Sequence, residues 1–227
     1  MTGRIKWVCF IGCFLGLIEI ASAGVAVGGT RVIYDARKKE ASLSVVNQDK
    51  DVPYLIQSWV ESASGNLTNK APFIITPPLF RLDAKQENIL RIMRTGGELS
   101  DSSESVFWLN VKSIPSSEKT EENKLQISVK TRIKMFYRPA GLTGNAAEAY
   151  KALTFSRKGS QLIVTNNTPY YVSFFRVSVG DKEIDNAGMV APKSTLTWTI
   201  PADAKGSVSW QAISDYGAIT TAESASL

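Results

Sequence analysis

The clearest alternation of apolar and polar residues in the chain runs from Asn123 to Tyr137 and stops at Pro139. The apolar positions are Leu125, Ile127, Val129 and Ile133, and the polar positions between them are Gln126, Ser128, Lys130, Arg132 and Lys134. Because strand side chains alternate between two faces, this pattern predicts an amphipathic β-strand, far longer than the usual five or six residues or so. At a sheet edge, such a strand is an open template for pairing with another chain.

Shorter apolar runs, rich in β-branched and aromatic residues, fill the remainder of the chain and predict further strands. Their spacing of about 8 to 17 residues is typical of a β-sandwich. Before Pro139 the predicted strands are 30–34, 41–47, 54–61, 73–76, 89–93, 106–111 and 123–137. After it they are 153–155, 161–165, 170–179, 194–200 and 207–213. The fold class predicted from this pattern is all-β, with two sandwiches in series.

Small residues around 140–145 indicate a hinge between the two sandwiches, so the predicted domains are residues 24–142 and 143–227. Residues 1–23 have the features of a secretory signal peptide: Arg4 and Lys6, an apolar run over 7–18, and small residues at 21–23. A membrane anchor is the alternative, but Glu19 interrupts the end of the run and no second hydrophobic segment follows it. Cleavage would leave Gly24 as the first residue.

Cleavage would also leave a chain with neither histidine nor cysteine, because Cys9 and Cys13 lie in the signal. This excludes Ser-His-Asp and Cys-His nucleophiles and the usual zinc ligand sets, so no catalytic residue, metal or cofactor is expected. The carboxylates of Glu118, Glu121 and Glu122 are close in sequence, but their polar surroundings favour a solvated loop.

The charge pattern gives no sign of a nucleic-acid partner. The full chain carries 26 Lys and Arg against 21 Asp and Glu, a net charge of +5. Loss of Arg4, Lys6 and Glu19 would leave +4, with the charges of both signs interspersed. No basic stripe of the kind that follows a phosphate backbone is present in the sequence.

Eight motifs in a fixed order resemble the PapD-like periplasmic chaperones of pilus assembly. They are TRVIY at 30–34, PYLIQSWVE at 53–61, TPPLFRL at 76–82, ESVFWLNV at 104–111, IP at 114–115, RIKMFYRP at 132–139, NTPYY at 167–171 and DYG at 215–217. The resemblance implies two immunoglobulin-like domains set at an angle, with a binding cleft between them and no enzyme activity. It also implies a periplasmic location.

In this family a chaperone completes an unfinished pilus subunit by donor-strand complementation and delivers it to an outer-membrane usher without ATP. The resemblance assigns Leu125, Ile127 and Val129 to the groove of a bound subunit. Periodicity alone leaves the alternative that these side chains face the chaperone's own core, since alternation reveals two faces without showing which is inside. Self-association of the free chaperone through the same strand also stays open.

Two further sets of residues take roles from the resemblance. Arg31 and Lys134 match the basic pair that anchors the C-terminal carboxylate of the subunit, although sequence alone leaves them as unrelated surface cations. Glu104, Arg138 and Asp215 match an ion network between the domains. The short polar connection between Pro115 and Asn123 matches the chaperones of rod-like fimbriae. Two alternatives to a chaperone come from other classes of protein: a fibre subunit and a carbohydrate-active enzyme built on a β-sandwich.

Overall fold

The structure is a computed structural model that describes residues 24–63, 71–117 and 125–227. The signal-peptide segment 1–23 lies outside the described residues, so its cleavage stays a prediction. The same holds for Glu118, Glu121, Glu122 and most of the connection between Pro115 and Asn123, and therefore for the short-loop subclass. In the described ranges no helix is long and apolar enough to span a membrane.

Within residues 24–63, 71–117 and 125–138, nine strands form the first sandwich. They are β1 Val25–Val27, β2 Arg31–Asp35, β3 Glu40–Asn47, β4 Tyr54–Ser62, β5 Phe73–Thr76, β6 Leu79–Leu82, β7 Glu87–Arg94, β8 Ser105–Pro115 and β9 Val129–Arg138. One sheet has the order β1-β3-β7-β5 and the other β2-β9-β8-β4-β6. All pairs are antiparallel except β2 with β9, which run parallel.

Eight strands, all within residues 153–225, which the structure describes in full, form the second sandwich. They are β10 Leu153–Lys158, β11 Gln161–Asn166, β12 Val172–Val179, β13 Lys182–Glu183, β14 Met189–Val190, β15 Ser194–Thr199, β16 Val208–Ala212 and β17 Glu223–Ala225. One sheet has the order β10-β11-β15; in the other, β13-β12-β16-β17, β14 also pairs with β12. A short 3₁₀ helix, Ala146–Ala152, precedes β10, where Asn145 accepts a hydrogen bond from the Ala147 amide.

Each sandwich has its own hydrophobic core. Ile56, Leu109 and Met135 are fully buried in the first, and Leu162 and Val177 are fully buried in the second. The alternation of buried and exposed residues along the strands places these side chains between the two sheets of each sandwich. The all-β class and the two-sandwich architecture are therefore confirmed, whereas the boundary after Leu142 stays a prediction.

The predicted strand from Asn123 to Tyr137 is too long at its start. Asn123 lies outside the described residues, and residues 125–128 are described but are not in a strand. The last pair in the ladder between β8 and β9 is Ser113 with Val129. Two residues beyond Ser113, Pro115 has no backbone N–H to donate, and β2 does not reach this part of β9. Segment 125–128 therefore has no partner strand in the described structure.

The apolar face of β9 changes its surroundings along the strand. Ile133, Met135 and Tyr137 lie in the core of the first sandwich. Val129 is on the same face, yet it is 56% exposed. The core covers only the second half of this face, so the alternation seen in the sequence spans a buried half and an open half.

Candidate functional site

The two sandwiches meet at a cleft whose floor is the outer face of β8 and β9. A cavity of about 430 Å³ lies in it, with Trp108 and Ile133 on the first sandwich and Phe175, Ile213 and Ile219 on the second. Phe175 is 48% exposed and Ile219 51% exposed, so the cleft presents apolar surface to solvent. Arg31 and Lys134 also line this cavity.

Parallel pairing of β2 with β9 brings Arg31 and Lys134 together. These residues are separated by about a hundred positions in sequence, yet they stand directly opposite one another as the first pair of the β2–β9 ladder. Both side chains project to the outer face, because the neighbouring Val32 and Met135 are buried in the core. Two cations thus lie side by side at the point where β2 begins.

The guanidinium of Arg31 is only partly satisfied. Its Nη1 donates a hydrogen bond to the Ile213 carbonyl across the cleft at 3.0 Å, and its Cζ lies 5.8 Å from the centre of the Phe136 ring. Its Nε is buried and has no hydrogen-bond partner in the described part of the chain. Burial lowers the pKa of Arg31, and the charge of Asp215 opposes this effect. A buried donor without a partner favours an incoming acceptor.

Lys134 has a similar environment. Burial lowers the pKa of its ammonium group, and the charge of Arg31 lowers it further. Among the residues that the structure describes, no carboxylate lies within salt-bridge distance of either cation. A carboxylate placed between them would relieve their mutual repulsion and form charge-assisted hydrogen bonds.

Leu125, Ile127 and Val129 are exposed to solvent, by 89%, 66% and 56% respectively. The alternative that they lie in the core of this chain is therefore wrong. Ile133, which continues the same alternation, is 9% exposed and belongs to that core. The row of open apolar side chains ends where β9 enters the first sandwich.

Glu104, Arg138 and Asp215 are brought together between the sandwiches. Arg138 Nε lies 2.6 Å from Glu104 Oε1, while its Nη1 and Nη2 lie 2.7 and 2.9 Å from the two oxygens of Asp215. The second oxygen of Glu104 accepts a hydrogen bond from the Tyr171 amide at 2.8 Å. Glu104 and Arg138 belong to the first sandwich and Asp215 and Tyr171 to the second, so the network connects the two units.

Burial and pairing act against each other in this network. Burial raises the pKa of Glu104, and its pairing with Arg138 opposes the rise. Burial also disfavours the charge of Arg138, but the hydrogen bonds that Arg138 donates to Asp215 and Glu104, together with the charges of these carboxylates, outweigh it and raise the pKa of Arg138. The charge of Arg138 is therefore tolerated in the interface because both carboxylates pair with it, and the charge of Glu104 is tolerated because Arg138 is present.

Sequence reasoning missed the role of the turn after Asp215. A β-carbon on Gly217 would lie 2.5 Å from the Thr30 hydroxyl, and the backbone φ of Gly217 is +82°. Only glycine accommodates both the close approach and this conformation without strain. The turn can thus rest directly against the residue before Arg31. The DYG motif at 215–217 was visible in the sequence, but its contact with Thr30 was not.

In the described ranges, no cluster of three or more acidic, histidine or cysteine residues is placed to hold a metal ion. The site instead combines an open apolar row, a basic pair and an apolar cleft. Such a combination is suited to binding an extended peptide that ends in a carboxylate.

Comparison with known proteins decides the family. Residues 24–143 match the family model "Pili and flagellar-assembly chaperone, PapD N-terminal domain", and residues 148–224 match "Pili assembly chaperone PapD, C-terminal domain". The chain belongs to the PapD family of pilus-assembly chaperones. The family's role is that of a chaperone, which is not an enzymatic one.

Relatives within the PapD family are similar over most of the chain. The probable fimbrial chaperone LpfB of Escherichia coli O157:H7 is 50% identical over 204 residues, covering 88% of this chain and 87% of that protein. The chaperone protein FimC of Escherichia coli K12 is 44% identical over 203 residues, covering 88% and 83%.

Solved structures agree with the PapD assignment. A chain in the complex of the Salmonella enterica SafA pilin with the SafB chaperone superposes with a TM-score of 0.83 at 33% identity, covering 92% of this chain and 99% of its own. The periplasmic chaperone SfaE superposes with a TM-score of 0.78 at 39% identity, covering 90% and 100%.

Replacement of Arg138 by alanine should loosen the interface between the sandwiches. It leaves the Glu104 carboxylate, whose side chain is 2% exposed, without its cationic partner, and we expect a loss of about 3 kcal/mol in stability. Calorimetry should show a lower melting temperature, and small-angle X-ray scattering a broader distribution of interdomain angles. Arg37→Ala is the matched control, because Arg37 forms an exposed pair with Asp35 and should change little. Equal melting temperatures for the two variants would contradict the role of the network.

Proposed function

We propose that this chain is a periplasmic chaperone that binds pilus subunits by donor-strand complementation and delivers them to an outer-membrane usher without ATP. In this proposal residues 1–23 direct export and are removed. The segment from Asn123 to Lys134 is lent to the subunit, with Leu125, Ile127 and Val129 inserted into its groove. Arg31 and Lys134 bind its C-terminal carboxylate. The observation that carries the proposal is the open edge of β9, which ends at this pair of cations.

The open edge follows from the pairing of β9 with its two neighbours. On one side, β8 pairs with β9 from Val129 to Tyr137. On the other side, β2 pairs with it only from Lys134 to Arg138. Residues 129–133 therefore have one unpaired edge in the described structure, and their backbone groups on that edge can receive another strand.

The two cations determine the direction of that added strand. A strand that enters beside residues 129–133 must stop where β2 begins, at Arg31 and Lys134. If it runs parallel to β9, its carboxyl end arrives there; if it runs antiparallel, its amino end does. A C-terminal carboxylate has a pKa of about 3.5 and is ionised at neutral pH, whereas an ammonium group would be repelled. The basic pair therefore supports parallel addition of a C-terminal segment.

Insertion of the apolar row supplies the hydrophobic part of the binding free energy. Each of the three side chains could contribute roughly 1.5 to 3 kcal/mol if it is fully buried in the subunit. Ordering of residues 125–128, which pair with none of the described strands, opposes part of this gain. The net effect still favours a subunit that lacks a strand over a folded protein with closed sheets.

Anchoring of the carboxylate fixes the register of the added strand. A shift by one residue would turn every side chain of the paired strands to the opposite face. The carboxylate can reach both cations in only one register, so the apolar row always faces the same side of the subunit. When no subunit is bound, the same edge remains open to a second copy of the chaperone.

The anchor is tested by co-purification of pilus subunits from the periplasm with wild type, Arg31→Ala and Lys134→Ala. We expect both variants to lose most of the bound subunit, because each removes one of the two charges that bind the carboxylate. Lys158→Ala is a control with the same loss of charge on an exposed residue of β10, and it should retain the subunit. Circular dichroism must show that all variants are folded. Normal yields of subunit with Arg31→Ala and Lys134→Ala would contradict the anchor.

The apolar face of segment 125–128 is tested with two variants, each of which places one negative charge on one of the two opposite faces of the segment. Ile127→Asp would put a carboxylate into the apolar groove and should abolish co-purification of the subunit. Ser128→Asp makes the same change on the opposite face, so binding should fall much less. Both positions are exposed in the free chaperone, so neither substitution should disturb its folding. A difference in subunit binding between the two variants would therefore report on the inserted face. Equal binding by the two variants would show that this face is not inserted.

A further inference from the structure

Beside the proposed anchor, the outer face of the first sandwich carries ordered rows of cations and tryptophans across β4, β8 and β9. The first row is Glu61, Trp108 and Lys134, the second is Trp59, Asn110 and Arg132, and the third is Gln57, Lys112 and Lys130. These residues alternate with side chains of the core, so all of them project to the cleft side of the sheet. These rows contain one carboxylate, that of Glu61, and four cations: Lys112, Lys130, Arg132 and Lys134.

Two of these cations lie over tryptophan rings. The Arg132 Cζ is 4.3 Å from the centre of the Trp108 ring, and the Lys130 Nζ is 5.4 Å from that of Trp59. Cation–π contacts of this kind restrict long side chains that would otherwise sample many rotamers. Both charges are therefore held in place before any ligand arrives.

The carboxylate of Glu61 holds Trp59 and Arg132 in position without neutralising the positive charge of these rows. Its Oε1 accepts a hydrogen bond from Trp59 Nε1 at 2.7 Å, and its Oε2 lies 3.4 Å from Arg132 Nη2. The hydrogen bond from Trp59, together with the charges of Lys130 and Arg132, lowers the pKa of Glu61, so this carboxylate is ionised at neutral pH. The single negative charge of Glu61 thus interacts favourably with the two positive charges of Lys130 and Arg132.

Lys130 and Arg132 differ from Lys112 in their distance from the open edge. Both belong to β9 and lie within residues 129–133, which β2 does not cover. A strand added to this edge would place its own residues directly across from them, at the distance where cross-strand pairs interact. Lys112 lies one strand further away, on β8.

We propose that Lys130 and Arg132 form a charge-selective contact that favours subunits with acidic side chains on the cleft face of their C-terminal strand. This rests on the proposed function, since it requires that strand to lie along β9. The C-terminal segment recognised by this chain then alternates apolar residues, which face the groove, with acidic residues, which face Lys130 and Arg132. The apolar row selects for an incomplete sandwich, and the cation pair selects among subunits.

The test uses three synthetic peptides of about twelve residues with a free C-terminal carboxylate. All three have valine at one set of alternate positions, and the other set near the C-terminus is glutamate, glutamine or lysine. Binding is measured by isothermal titration calorimetry at low ionic strength. With the wild type we expect the glutamate peptide to bind roughly five- to ten-fold more tightly than the lysine peptide, with glutamine between them. The difference should shrink at 1 M salt, where the Debye length is about 3 Å.

The double variant Lys130→Gln/Arg132→Gln should bring the affinities of the glutamate and lysine peptides to within about two-fold of each other. Lys112→Gln changes the same face by one charge but lies a strand further from the peptide, so it should keep most of the preference.

Each peptide is also measured with an amidated C-terminus, which reports on the anchor. A wild type that prefers the free acid to the amide but does not distinguish glutamate from lysine would overturn this inference and leave the proposed function standing. Equal affinity for the free acid and the amide would instead count against the anchor itself.

Discussion

The parallel ladder between β2 and β9 determines most of what this molecule can do. Because the ladder begins only at Arg31 and Lys134, the first half of β9 keeps one edge without a partner among the described strands. The same pairing places two cations side by side at the end of that edge, where burial lowers the pKa of both. If β2 were longer at its start, the edge would be covered and the cations would lie inside a closed sheet.

The second sandwich turns this edge into a cleft. Arg138 bridges Glu104 and Asp215, and the Gly217 turn rests against Thr30, the residue that precedes Arg31 of the proposed anchor. Arg31 takes part directly, since its guanidinium donates to the Ile213 carbonyl of the second unit. The contact between the sandwiches and the position of Arg31 are therefore connected through a few polar contacts. A buried ion network is a costly way to stabilise an interface, because its charges lose their hydration.

The sequence predicted the all-β class and most strands because period-two alternation and turn residues are local signals. It did not separate Val129 from Ile133, which share a face of β9 but differ in burial, because the end of the opposing core is a tertiary feature. It also placed 125–128 in a strand, since alternation does not show whether a partner strand is present. Phe136 falls on the polar side of the alternation, yet it is buried against Tyr171 of the second sandwich.

The residues of the site were named from the resemblance to the PapD family and not from their chemistry. Nothing local indicates that Arg31 stands opposite Lys134, or that Glu104 lies 2.6 Å from Arg138, because these contacts depend on strand order and on the interface. The cation–tryptophan rows across β4, β8 and β9 were hidden for the same reason: Trp59, Trp108 and Arg132 come from three strands that are distant in sequence.

The central claim is that a pilus subunit adds a strand to the open edge of β9, and amide hydrogen exchange tests it most directly. Exchange would be followed by mass spectrometry on the free chaperone and on its complex with a subunit, in fragments that cover residues 125–133. The account predicts that the amides of 125–133 become strongly protected in the complex, while those of β3 on the opposite sheet change little. Unchanged exchange at 125–133 in a saturated complex would show that the subunit binds elsewhere.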